Sequence, residues 1–122
     1  MTNTEKIVFI STAGIDTPER ATLPFVIATA ALTVDVEVIM VLQAGAVMLA
    51  KKGMAEHIQA PGLMPMKKLI SDFIEFGGKV LVCSPCLKER NVNPEDMIEG
   101  AQVVAAATVV DEILSAKSTV TY

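Results

Sequence analysis

Lys79-Val80-Leu81-Val82-Cys83-Ser84-Pro85-Cys86-Leu87-Lys88-Glu89-Arg90 is the stretch on which the reading of this chain turns. Residues 79–82 are apolar after the first and do not alternate, the pattern of a strand buried on both faces. The pattern changes at Ser84-Pro85. Serine is suited to cap a helix, and proline fits the first helical turn, where its missing N–H is no loss. A strand that runs straight into a helical turn is half of a β–α–β unit.

The same unit is readable on either side. Upstream, Met66, Leu69, Ile70, Phe73 and Ile74 recur at helical spacing, and Gly77-Gly78 closes that helix. Before it, residues 54–65 carry Pro61, Gly62 and Pro65 and show no period, and Ala46 to Lys52 reads as a short helix with Lys51 and Lys52 in its last turn. Val36 to Leu42 is a second buried strand and Gln43-Ala44-Gly45 its following turn. Residues 6–11 are a first strand, followed by a loop of Thr12, Gly14 and Asp16. Thr17-Pro18-Glu19 starts a helix that continues through Leu23, Ile27, Ala30, Ala31 and Val34, with Pro24 expected to kink it or delay its regular part. Downstream, Asn93-Pro94-Glu95-Asp96 starts a helical turn ended by Gly100. Gln102 to Val104 is a fourth strand, a helix carries Val110, Ile113 and Leu114, and Ser118 to Tyr122 is a fifth strand.

Non-alternating strands separated by helices imply an α/β fold, a single three-layer α/β/α domain over residues 1–122 with a five-stranded parallel sheet. Ligands of such sheets collect at the carboxyl ends of the strands. The loops there are Thr12–Asp16, Gln43–Gly45 and Cys83–Arg90, so Thr12, Gln43 and Gly45 are candidate lining residues beside the cysteines.

The composition narrows the function. The chain has 122 residues, is 52% hydrophobic and 20% charged, and has a mean hydropathy of +0.50. Disordered chains are far poorer in apolar residues. The longest uncharged run, Ala21 to Val34, has 14 residues and contains Pro24, short of the roughly 20 needed to span a bilayer. Glu5 and Lys6 precede only a short apolar run that ends at Thr12, so no signal peptide and a cytoplasmic protein are expected. The net charge is −4 and only 4% of residues are aromatic, which argues against nucleic-acid binding by counterion displacement or base stacking. The charge is uneven: residues 51–90 hold seven of the ten basic side chains and four of the fourteen acids. That excess is either a set of solvated helix faces or a cationic field for an anionic substrate. No membrane partner is expected.

Two cysteines three apart are too few for a disulfide framework. At the start of a helix they suggest redox or sulfur chemistry. Free helix-start N–H groups, with Lys88 and Arg90 close behind, favour a thiolate at Cys83, which is expected to react at a pH below the free thiol's pKa of about 8.5. Four readings stand side by side at this point: two small buried residues at a strand end, a thioredoxin-like disulfide reductase, a zinc site, and persulfide transfer. Zinc needs four ligands, and only Cys83, Cys86 and His57 are on offer, so no metal or cofactor is expected. His57 itself reads as a surface residue. The methionines at 48, 54, 64 and 66 read as core or subunit contacts.

The run Val82-Cys83-Ser84-Pro85-Cys86-Leu87-Lys88-Glu89-Arg90-Asn91-Val92 resembles the active-site segment of the DsrE/DsrF-like (YchN-like) sulfur-relay proteins. Their pattern is a strand, a cysteine, a short helical stretch, then Arg-Gly and an aliphatic residue. Cys83 falls on the sulfur-carrying cysteine and Arg90 on the arginine. Asn91 stands in place of the glycine, a mild change because asparagine tolerates the left-handed cap conformation. Cys86 resembles the subset with two cysteines. Residues 16–21 and 38–45 resemble the family's first helix start and its second strand and turn. The resemblance implies transfer of sulfane sulfur as a persulfide or thiosulfonate on Cys83. Cys86 would be the second thiol, with Lys88 and Arg90 steadying the anion. It further implies homotrimers or hexamers and TusA-like carrier partners. An unusually high apolar share in a short chain independently leads to a closed homo-oligomer. Two other readings remain: a non-catalytic oligomeric ligand-binding or regulatory subunit, and a CxxC disulfide oxidoreductase.

Overall fold

A computed structural model describes residues 5–122. Five strands, β1 (Lys6–Ser11), β2 (Glu37–Leu42), β3 (Lys79–Cys83), β4 (Ala101–Val104) and β5 (Ser118–Thr121), form one sheet in the order β4-β3-β2-β1-β5. All four pairings are parallel, with Val8 beside Ile39, Val41 beside Leu81, and Cys83 beside Val104. The helices are α1 (Pro18–Ala31), α2 (Met66–Glu75), α3 (Ser84–Glu89) and α4 (Ala106–Ser115). This is the expected α/β architecture, with element ends shifted by one residue or so.

The strand order decides which layer each helix joins. The chain steps in one direction from β1 to β4, then returns to the far side of β1 for β5. Crossovers of one hand place helices on opposite faces when the direction reverses. The core divides accordingly. Phe9, Val38, Met40, Leu42, Val80 and Val82 pack with Phe25 of α1, Phe73 of α2 and Leu87 of α3. Val8, Ile39, Val41, Leu81 and Val104 pack with Val109 and Ile113 of α4. In the larger layer the Phe25 and Phe73 rings meet edge to face at 5.6 Å.

Three local expectations change. The regular part of α1 is not delayed: it begins at Pro18 and runs through Pro24 to Ala31. Proline removes one internal hydrogen bond, and the burial of Pro24 and Phe25 in the core offsets that loss. The segment expected as a helix from Ala46 to Lys52 is a 3-10 helix, Ala44–Ala50. Ala46 bonds back to the Gln43 carbonyl at 3.0 Å, three residues away. Lys51 is therefore not in a helical last turn; it pairs antiparallel with Met97. Third, residues 54–65 are not wholly irregular: Ala55–His57 is a 3-10 turn, His57 is exposed, and Ile58 and Ala60 are buried. Met66 is fully buried and Met64 is exposed.

Among the described residues no helix is long and apolar enough to cross a membrane. None of their His, Cys, Asp and Glu side chains form a group of three or more able to hold a metal ion.

Candidate functional site

The chain leaves β3 toward the face that carries α3, and leaves β4 toward the face that carries α4. The crevice between two such neighbouring strands, at their carboxyl ends, is where open α/β sheets bind ligands. Cys83 is the last residue of β3 and Val104, its partner, the last of β4. The sequence therefore delivers a thiol to the topological switch point.

Cys83, with extended backbone angles, is the cap residue of α3. Ser84, expected as the cap, is the first helical residue, with Pro85 behind it. One turn into α3 the Cys86 Sγ lies 3.1 Å from the Cys83 Sγ. Both thiols are free and half-buried. The helix then ends by the left-handed route. Asn91 has φ +56°, its N–H bonds the Lys88 carbonyl, and the Val92 N–H bonds the Leu87 carbonyl at 3.1 Å. Asparagine thus fills the place where the family pattern has glycine.

The Arg90 guanidinium turns back and donates to the Cys86 carbonyl at 3.2 Å, and it lies 3.9 Å from the Glu89 carboxylate. It caps the helix rather than the sulfur. Lys88 is exposed. The expectation of a depressed Cys83 pKa is therefore corrected. Burial pushes the Cys83 thiol up, the Cys86 side chain adds to this, and the Cys86 backbone N–H opposes it only in part. Desolvation of the charged form outweighs the few N–H groups of a six-residue helix. Alkylation of Cys83 by iodoacetamide is expected to titrate above the free thiol's pKa of about 8.5, and a midpoint at or below that value would contradict the burial argument.

The second strand's turn completes the constellation. The Gln43 N–H bonds the Ser11 carbonyl at 3.0 Å, tying this turn to the end of β1. The Ala44 N–H then points at the Cys86 Sγ, 3.3 Å away. Gly45 packs against Gly14 so closely that a Cβ on Gly14 would lie 2.6 Å from the Gly45 carbonyl oxygen. Gln43 and Gly45 are thus gathered near the cysteines through their backbone. Thr12 is not: its hydroxyl donates to the Tyr122 carbonyl at 3.0 Å, on the β5 side of the sheet. Ala44 and Gly14 lie in loops expected at this edge, yet nothing in the sequence marks them as site residues. An alanine in a left-handed conformation leaves no compositional mark, though the glycine in the loop after β1 is a readable hint of close backbone approach.

A separate groove of about 490 Å³ is lined by Lys51, Ala55, Ile70, Ile74, Ile98 and Gly100 among others. It contains neither cysteine.

The profile of the DsrE/DsrF-like family matches residues 5–122. The chain belongs to the DsrE/DsrF-like family. Among its relatives, uncharacterized protein MJ0989 of Methanocaldococcus jannaschii is 33% identical over 105 residues, covering 85% of this chain and 88% of that one. Uncharacterized protein MK0008 of Methanopyrus kandleri is 35% identical, covering 76% and 74%. Uncharacterized protein MJ0760 of M. jannaschii is 26% identical over 88% of this chain, which spans 39% of that longer protein. The fold is that of the YchN protein from E. coli, with a TM-score of 0.83, 19% identity, and coverage of 98% of this chain and 100% of that one. MTH1491 from Methanobacterium thermoautotrophicum, a protein of unknown function, has a TM-score of 0.72 at 15% identity, with the same coverage.

Proposed function

We propose that this DsrE/DsrF-like chain is a cytoplasmic sulfur carrier. Cys83 takes up sulfane sulfur as a persulfide or thiosulfonate, and Cys86 acts as the second thiol that resolves or shuttles it. The observation that carries this reading is the pair of free thiols 3.1 Å apart at the switch point of the sheet. A thiolate attacks a sulfur–sulfur bond from one side, and a second thiol within contact distance can then displace or take over what the first has acquired. Lys88 and Arg90 contribute a general positive field at the mouth of the site. Gln43 and Gly45 form its rim.

Exposure of the protein to polysulfide, followed by intact-mass analysis of the wild type and Cys86→Ser, tests the proposal. A sulfur adduct that persists in Cys86→Ser supports the carrier. Loss of two hydrogens in the wild type with no adduct in the variant supports a disulfide oxidoreductase. Unchanged masses support a non-catalytic binding subunit.

We also propose a closed homo-oligomer, a trimer or a hexamer built of two trimers, with a TusA-like carrier as an exchange partner. Leu114 is 78% exposed and Val110 51%, both on the outer face of α4. Leu23 and Ile27 are exposed one turn apart on α1. Large apolar side chains paired on exposed helix faces favour an interface on each. Light scattering at micromolar concentration is expected to give a multiple of the 13.0 kDa chain mass; a stable monomer would defeat the assembly proposal.

A further inference from the structure

We propose that Ala44 is a positioning residue whose backbone N–H makes Cys86 the attacking thiolate of the pair and Cys83 the sulfur that is attacked. The direction of attack is a property of the pair, so the proposal stands whether or not the cargo is sulfane sulfur.

Three observations carry it. The Ala44 N–H donates to the Cys86 Sγ at 3.3 Å, and the Cys83 Sγ lies 3.1 Å from the Cys86 Sγ. A donor aimed at sulfur favours the anion over the thiol. Ala44 is also held at φ +49°, in the left-handed region that alanine avoids. Strain of this kind persists where the surroundings enforce it, and here the enforcement is visible. Gly45 is locked against Gly14, and Gln43 is tied to β1. Finally, burial disfavours charge on Cys83. The charged groups next to the pair do not reverse this. Lys88 and Glu89 follow on α3 and Arg90 just after it, with Arg90 engaged by the Cys86 carbonyl. The Ala44–Ala50 segment packed against α3 carries no titratable side chain.

The step this sets up balances simply. With a group X bound to Cys83 through sulfur, the Cys86 thiolate attacks the Cys83 Sγ. A Cys83–Cys86 bond forms, the bond from Cys83 to X breaks, and X leaves with the electron pair, as hydrosulfide when X is SH. The two cysteines are oxidised, X is reduced, and a small-molecule or protein dithiol must reduce the pair for another round.

The test is residue-resolved iodoacetamide labelling of the reduced protein at neutral pH. In the wild type at neutral pH Cys86 is expected to label several-fold faster than Cys83. Replacing Ala44 by lactic acid turns the Gln43–Ala44 amide into an ester and deletes only the N–H. That change is expected to slow Cys86 labelling toward the Cys83 rate and leave the Cys83 rate no higher than in the wild type. Ala44→Gly, which keeps the N–H and relieves the strain, is expected to keep the wild-type rates. Cys83 labelling first in the wild type would overturn the proposal, as would an unchanged Cys86 rate in the ester. The wild-type rates decide the matter alone if the ester does not fold. These readouts involve no sulfur donor, so failure of the carrier proposal and failure of this one are distinguishable.

Discussion

Cys83→Ser is expected to lose the sulfur adduct formed with tetrathionate, and Cys86→Ser is expected to form it and hold it longer than the wild type. The asymmetry follows from position. Cys83 ends β3 at the switch-point crevice, where a donor can approach. Cys86 sits one turn along α3, drawn onto the Ala44 N–H and against the Cys83 sulfur. It is placed to displace what Cys83 carries, not to receive a bulky anion in its stead. Removing it deletes the internal attack and with it the route of release. Loading of Cys86→Ser should be slow near neutral pH, because burial keeps Cys83 protonated there, and should quicken as the pH rises. Intact mass against time reads all of this. Normal loading of Cys83→Ser with none in Cys86→Ser would reverse the roles, and equal loading of both would remove the specific role from each.

Phe73→Ala is expected to cost about 3–5 kcal/mol of stability, a large part of the 5–15 typical of a domain. Phe73 is fully buried and forms the edge-to-face pair with Phe25 that joins α2 to α1. A Cβ added at Gly78 would lie 2.4 Å from its ring, so Gly78 is in contact with the ring and the wall cannot be enlarged from that side. The cavity left by alanine would stay largely open. Chemical denaturation should show a lower midpoint at an unchanged slope; a loss under about 1 kcal/mol would mean that the two helices do not pack through these rings. Gly78→Ala should destabilise for the opposite reason, overpacking.

Much of this architecture was legible in the residues. Val38–Leu42 and Val80–Val82 lack alternation because both sheet faces are covered, and the periods between them are helical. Ser84-Pro85 marked the start of α3 to within one residue. The less legible parts depended on tertiary contacts. Proline inside α1 reads as a kink or a delayed start, but its neighbours in the core hold the helix regular from Pro18 through it. The helix start beside Cys83 reads as an acidifying influence, yet the neighbourhood buries the thiol more than it stabilises the anion. Arg90 reads as a partner for sulfur, and the geometry spends it on the helix end. Thr12 shares an edge of the sheet with the cysteines but stands two strands away from Cys83, because β2 lies between β1 and β3. Ala44 had no signature at all, since its role lies in a backbone angle and an N–H.

The carrier proposal stands or falls on where sulfur is found. Peptide mapping of Cys86→Ser after exposure to polysulfide tests it most directly, because no second thiol remains to displace the cargo. The account predicts added sulfur on the peptide that holds Cys83, removable by a thiol reductant. An unmodified Cys83 under conditions in which the unfolded chain is fully modified would contradict it.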